Sequence, residues 1–339
     1  MAIVYIRTDA SPQIGAGHLV RCITLADAFR AAGAKVEFIC CDLRGGFKKL
    51  LCGKNYTVHE LSGVKSQVTD ARLTSKIISG RKINLMVVDH YELGLDWEKI
   101  IKPKVRKLLS IDDLGRKHIC DLLLDQNYVS DLNSRYLKKV PPGCEVLLGP
   151  RYALPRPEFS NLRGPERGDR EVKKLFIFFG SGSEAVTCFY LQILSAESFQ
   201  DICIDCVLGS YETGWQKIER LAERRPNTNI YHQVEDIGKI MSGADFALGA
   251  LGTTTWERMC LGLPTAAILT AENQRLVMEA MKNNRLIWYL GDSRKAKTLK
   301  QGAYLNRVFK SKRNMEISRK SMKICDGLGA SRVISAADL

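Results

Sequence analysis

No run of about 20 consecutive apolar residues occurs in this 339-residue chain, which argues against a membrane-spanning helix. The start, Met1-Ala2-Ile3-Val4-Tyr5-Ile6-Arg7, lacks a basic leader and a small-residue cleavage site. It reads as a first strand and not as a signal peptide, so a cytoplasmic location is expected. Acidic residues are few in one region: from Arg294 to Cys325 a single acid, Glu316, stands against eleven Lys or Arg, the main source of a net charge of +14. That stretch has helical spacing (Leu305, Phe309, Ile317, Met322), few aromatics and no nucleic-acid motif before it. It reads as a solvated basic helix face, with loose attraction to anionic membranes or polyphosphates as the alternative, and no nucleic-acid partner is expected. The eleven cysteines lack a second pair to accompany Cys203-Ile204-Asp205-Cys206, and several lie in apolar runs. Reduced core thiols are expected, with no metal and no redox role.

What the sequence does have is a regular alternation of strand-like runs and amphipathic helices. Ala2 to Arg7 is followed by a helix from about His18, in which Leu19, Cys22, Ile23, Ala26 and Phe29 follow a 3.6-residue period. Strands are expected near Val36 to Cys40, Leu85 to Val88, Leu108 to Ile111 and Leu122 to Leu124. The pattern breaks between about Pro141 and Arg170, where prolines and charges cluster. A second series runs through Lys174 to Phe179, Ile202 to Leu208, Phe246 to Ala250, Ala266 to Leu269 and Ile287 to Leu290. The expected fold is α/β, with two doubly wound, mostly parallel domains: residues 1–150, a linker over 151–171, and 172–339 ending in basic helices. Such sheets bind ligands at the carboxyl ends of their strands, so a cleft between the domains is the expected site.

Five motifs and one further polar stretch lie at those strand ends. Gly15-Ala16-Gly17-His18 opens the first helix; the glycines let backbone approach a ligand, and Val20 stands where a dinucleotide fingerprint needs another glycine. His18 reads either as a helix-capping residue or as a general base, and Asp9, Ser11 and Gln13 on the preceding loop are placed to orient substrate or imidazole. Asp89-His90-Tyr91 follows the third strand-like run, as cleft residues or as a turn that caps the next helix. Asp112-Asp113 suits a sugar hydroxyl better than a metal, since no further ligands accompany it at metal spacing. Gly180-Ser181-Gly182-Ser183 forms a strand–glycine loop–helix unit that suits a phosphate, but it lacks the lysine of a P-loop. In Gly252-Thr253-Thr254-Thr255-Trp256-Glu257-Arg258, hydroxyls and N–H groups enter a helix and suit a diphosphate, and Glu257 one turn on suits ribose hydroxyls. Ala271-Glu272-Asn273-Gln274 again presents polar groups after a strand.

Taken in order, these motifs resemble the UDP-sugar hydrolase family of pseudaminic acid biosynthesis, which acts on UDP-2,4-diacetamido-2,4,6-trideoxy-β-L-altropyranose. The likeness runs from about Ile3 to Tyr289 and includes Arg7-Thr8-Asp9, Gly15 to Cys22 with Arg21, Val88 to Tyr91, Asp121 to Asn127 and Gly149 to Leu154. It implies a GT-B fold, like that of the N-acetylglucosaminyl transferase of murein synthesis. It also implies His18 as general base and Tyr91 near the attacked carbon. Substrate contacts would come from Asp9, Gly15, Gly17, Arg21, Gly180, Ser181, Gly182, Gly252 and Gln274, with Thr253 to Thr255 on the diphosphate, Glu257 on ribose and Asn273 on the sugar. The family usually has a Gly-Gly-Ser/Thr-Asp loop where this chain has Gly180 to Ser183, a small residue at Leu251, and often Asn at Asp125.

The expected reaction is metal-independent and cofactor-free. His18 deprotonates water, the anomeric C–O bond breaks with inversion, and UDP leaves a free sugar. The alternatives are a GT-B glycosyltransferase that moves the sugar to an acceptor, and a non-catalytic nucleotide-sugar sensor. The partner is a small molecule, and a monomer is expected.

Overall fold

The computed structural model describes all residues except 12–14, 45, 168–170, 210–212, 233, 235 and 296–299. Gln13 therefore lies outside the described residues. The chain divides into two compact units, Met1–Arg156 with Leu328–Leu339, and Pro157–Gly327.

The first unit is built on strands β1 (Ile3–Thr8), β2 (Lys35–Cys40), β3 (Thr57–Glu60), β4 (Leu85–Asp89), β5 (Lys107–Ile111), β6 (Leu122–Asp125) and β7 (Glu145–Leu148). They form one parallel sheet in the order β3-β2-β1-β4-β5-β6-β7. Helices α1 (Gly17–Ala31), α2 (Phe47–Gly53), α3 (Gln67–Ile78) and α4 (Leu95–Ile101) connect its earlier strands. The central strands β1 and β4 are apolar on both faces because helices cover both sides, and Tyr5, Ile39, Met86, Trp97 and Leu123 form part of one core.

The second unit begins with a short helix, α5 (Glu158–Asn161). Its sheet has strands β8 (Lys174–Phe178), β9 (Cys203–Leu208), β10 (Thr228–His232), β11 (Phe246–Ala250), β12 (Thr265–Leu269) and β13 (Trp288–Asp292), all parallel, in the order β10-β9-β8-β11-β12-β13. The helices are α6 (Glu184–Leu194), α7 (Trp215–Glu223), α8 (Ile237–Ser242), α9 (Thr254–Cys260), α10 (Arg275–Asn283), α11 (Lys300–Phe309) and α12 (Arg313–Ile324). Leu175, Tyr190, Phe246, Leu248 and Phe309 lie in its core.

The last helix, α13 (Gly329–Ala337), belongs to the first unit, whereas the sequence reading ran the second domain to residue 339. Its buried stripe of Gly329, Val333 and Ala337 packs on α1 and on the turn Pro150–Tyr152. Arg332 donates to the Arg151 carbonyl (2.7 Å) and Lys107 to that of Ala337 (2.6 Å). The expected linker over 151–171 takes in the end of the 3-10 turn Pro150–Tyr152 and all of α5, and the units part after Arg156. Among the described residues, no helix is long and apolar enough to cross a membrane.

In both sheets the strand order reverses at one place, between β1 and β4 and between β8 and β11. There the flanking loops diverge to opposite faces and leave a crevice at the strands' carboxyl ends. Gly15–His18 and Asp89–Tyr91 stand at the first of these places and Gly180–Ser183 and Gly252–Arg258 at the second, while Asp112-Asp113 and Ala271–Gln274 follow the neighbouring strands β5 and β12.

Candidate active site

In the first unit, Thr8 at the end of β1 pairs with Asp89 at the end of β4. Helix α1 starts just beyond β1 and brings His18, on its first turn, over Asp89. His18 Nδ1 lies 2.6 Å from Asp89 Oδ1, and both side chains are buried. A carboxylate only accepts, so this contact keeps a proton on Nδ1 and leaves the lone pair on Nε2. Arg21, one turn further along α1, grips the same carboxylate through Nε and Nη2, both at 2.6 Å, and its Nη2 also lies 3.2 Å from His18 Nδ1. Burial alone would raise the Asp89 pKa; Arg21 and His18 overcome it and hold the carboxyl well below the usual carboxylate range. Asp89 is therefore a fixed negative charge behind the imidazole.

Tyr91 follows on the β4–α4 loop. Its ring meets the His18 ring edge-on with centroids 4.5 Å apart, and its hydroxyl lies 3.3 Å from Asp113 Oδ2. Asp113 also accepts from Arg21 Nη1 and from Asn127 Nδ2, each at 3.0 Å to Oδ1. One guanidinium thus ties together the carboxylate behind His18 and the carboxylate at the Tyr91 hydroxyl. Tyr91 is 36% exposed, so the pair opens to solvent on its side.

Two residues expected to touch substrate are instead engaged within the protein. The Arg21 guanidinium is 3% exposed and serves Asp89 and Asp113. Asp9 Oδ1 accepts from Arg7 Nη1 (2.6 Å) and from the N–H groups of Cys41 (2.7 Å) and Asp42 (3.2 Å). Its Oδ2 takes Arg7 Nη2 (2.9 Å) and lies 3.2 Å from His90 Nε2. That fills the capacity of a carboxylate. Arg7 is itself clamped by Asp70, which also accepts from the Trp97 indole at 2.7 Å. The acid pair divides as well: Asp112 is taken up by Arg116 Nε (2.8 Å), the Arg116 N–H (2.8 Å) and the Tyr136 hydroxyl (3.0 Å), while Asp113 faces the site. Among the described residues, no three His, Cys, Asp or Glu side chains converge as a metal-ligating group. Gly15 has φ +84°, a backbone conformation that favours glycine, and its N–H donates to the Ser11 carbonyl at 2.7 Å. Gly17 is the first residue of α1.

In the second unit, Gly180 (φ +92°) and Gly182 (φ +67°) bend the loop between β8 and α6 with Ser181 between them, and Ser183 Oγ donates to the Gly180 carbonyl at 2.8 Å. Across the strand-order reversal, β11 leads into Gly252 and the three threonines. Gly252 is exposed and Thr253 and Thr254 are half-buried, but Thr255 and Glu257 are buried, with Glu257 1% exposed. Thr255 Oγ accepts from Arg258 Nη2 at 3.2 Å. From Thr255 on, α9 is enclosed on every side, so only its first residues are open to a ligand. Asn273 is exposed on the 3-10 turn after β12, and Gln274 Oε1 accepts from Thr270 N–H (3.2 Å) and Oγ (3.1 Å), which turns the amide NH₂ away from that loop.

The sequence singled out Asp113 for a sugar hydroxyl but not for its contacts with Arg21, Tyr91 and Asn127, and it assigned no role to Arg116 or Asn127. Asp89 was seen only as a polar residue at a strand end.

No family model matches the chain. It is 31% identical over 272 residues, 80% of its length and 93% of the relative's, to the UDP-2,4-diacetamido-2,4,6-trideoxy-beta-L-altropyranose hydrolase of Campylobacter jejuni. The spore coat polysaccharide biosynthesis protein SpsG of Bacillus subtilis is 23% identical over 277 residues, 80% of this chain and 78% of that protein. Among solved structures, MurG of Acinetobacter baumannii matches with a TM-score of 0.67 at 12% identity, covering 100% of this chain and 99% of that one. UGT89C1 of Arabidopsis thaliana, complexed with UDP, matches with 0.68 at 12%, covering 100% of both chains.

Two Rossmann-like units with these strand orders define a protein of the GT-B fold. Within that fold, the chain belongs to the UDP-2,4-diacetamido-2,4,6-trideoxy-β-L-altropyranose hydrolase family.

Proposed function

We propose that this protein hydrolyses a UDP-linked 2,4-diacetamido-2,4,6-trideoxyhexose at its anomeric carbon, a step of pseudaminic acid biosynthesis, with His18 as the general base. The observation that carries the reading is the 2.6 Å contact between His18 Nδ1 and the buried Asp89 carboxylate, which makes Nε2 the proton-accepting atom. Water gives its proton to Nε2 while its oxygen bonds to C1. The C1–O bond breaks from the opposite face, the electron pair leaves with UDP, and the sugar is released with inverted configuration. Asp89 stabilises the imidazolium that forms without taking the proton itself. Tyr91 flanks the ring, and the family resemblance puts it near the attacked carbon.

The second unit supplies the nucleotide site. The loop Gly180–Ser183, with Gly252, Thr253 and Thr254, offers N–H groups and hydroxyls to the diphosphate, and Asn273 and Gln274 meet the sugar. The family resemblance gives Glu257 to the ribose. Its burial means that ribose binding through Glu257 requires a shift at the start of α9. The diphosphate is a good leaving group, so this reading needs no strong general acid and no metal.

The test is turnover of the UDP-sugar by wild type and His18→Asn, with product analysis in the presence and absence of sugar and lipid acceptors. Release of UDP and free sugar by wild type, lost in the variant, supports the reading. Transfer to an acceptor instead of to water identifies a glycosyltransferase. UDP-sugar binding without any UDP release identifies a sensor.

A further inference from the structure

We infer that Arg116 is a positioning residue whose guanidinium clips the β4–α4 loop and holds the Tyr91 ring against His18. The inference rests on the roles proposed above for His18 and Tyr91. Residues 90–94 form neither helix nor strand, so their carbonyls need partners from elsewhere. Arg116 supplies three of them: Nη1 donates to the carbonyls of Tyr91 (2.6 Å) and Leu93 (3.3 Å), and Nη2 to that of His90 (3.3 Å). Nε donates to Asp112 Oδ1 at 2.8 Å. A planar fork of five N–H groups can span three carbonyls and a carboxylate; a lysine ammonium cannot reach the same set.

Arg116 is in turn fixed from behind. Asp112 Oδ2 accepts the Arg116 N–H (2.8 Å) and the Tyr136 hydroxyl (3.0 Å), and it lies 3.4 Å from Nε2 of the buried His118. Other ties of the loop go elsewhere. His90 Nδ1 accepts from the Glu92 N–H at 3.0 Å and its Nε2 lies 3.2 Å from Asp9 Oδ2, Gly94 N–H donates to Gln67 Oε1 at 3.1 Å and its carbonyl accepts from the Glu98 N–H at 2.9 Å, and the Tyr91 hydroxyl reaches Asp113 at 3.3 Å. None of these holds the carbonyl edge beside the Tyr91 ring. Arg116 acts on the reaction through that edge and touches neither reacting atom.

The test combines amide hydrogen exchange with a double-mutant cycle on the full chain. In Arg116→Ala, exchange of the amides in 90–94 should speed up by about 10-fold or more while β4 stays protected. Its kcat should fall about 10- to 100-fold with a smaller change in KM, and Arg116→Lys should not restore it. In a Tyr91→Ala background the same substitution should cost less than about 2-fold, because the residue it positions is gone. Unchanged exchange at 90–94, or an equal kinetic loss in both backgrounds, would overturn the inference. If wild type releases no UDP, the functional reading fails and takes the catalytic part of this inference with it. The exchange measurement then still decides whether Arg116 holds the loop.

Discussion

The position of one proton decides what His18 can do. With Asp89 at Nδ1, the imidazole presents a lone pair at Nε2; without that carboxylate, the ring can turn or adopt the other tautomer. His18→Asn should therefore lower kcat by about 10²–10⁴-fold and leave UDP affinity within a few-fold, as read by turnover and calorimetry. Asp89→Asn should fall in the same range with the fold retained, because the amide no longer fixes the tautomer and Arg21 loses half of its charge partners. Preserved kcat in Asp89→Asn would remove the carboxylate from the mechanism. His18 was visible in the sequence as a candidate, helix cap or general base, because it opens the first helix after a glycine turn. The Asp89 role was not, since its partner is 71 positions away and no local spacing records the pairing. Arg21 is a related case: a motif shows that a cation is present but not that Asp89 and Asp113, from other strand ends, reach it.

At the scale of elements, the inner strands were read with good boundaries because burial on both faces makes them continuous apolar runs. The sequence reading missed β3, β7 and β10, which are the edge or near-edge strands Thr57–Glu60, Glu145–Leu148 and Thr228–His232. They are short, polar and partly exposed, and β7 lies inside the proline-rich stretch taken for a break. Cys203 and Cys206, three apart on β9, face opposite sides of the sheet and so do not form a pair. His118, between β5 and β6, shows how an element junction carries pH dependence. Burial opposes its charge, but Asp112 and Glu98 raise its pKa from 6.5 to about 9. Its stabilising contribution is complete below about pH 6.5 and is lost as pH rises through 9, on the order of 3 kcal/mol in all. Denaturant midpoints should drop across that window in wild type and should vary less in His118→Gln; identical profiles would contradict the assignment.

For the whole molecule, the sequence anticipated two α/β units but not the return of the chain to the first. The apolar stripe of α13 announces a helix that packs against something, yet nothing in it names α1 as the surface it covers. Gly329 makes that return possible: a Cβ there would lie 1.9 Å from the Ala153 carbonyl oxygen, a backbone atom that cannot swing aside. Gly329→Ala should destabilise the protein by about 1–3 kcal/mol in chemical denaturation. A silent substitution would mean that α13 is loosely held. Ligand binding offers a second global readout. UDP at 100 times its Kd should stabilise the protein by about 2.7 kcal/mol, and excess EDTA should change neither that shift nor turnover. Loss of both in EDTA would show that the diphosphate is held through a metal.

The central claim is that water attacks carbon and not phosphorus, and the fate of the solvent oxygen decides between them. Turnover of the UDP-sugar in water enriched in oxygen-18, followed by mass spectrometry of both products, should place the label in the released sugar and none in UDP. Label in the terminal phosphate of UDP would mean that the P–O bond breaks, and the account of His18 acting at C1 would be wrong.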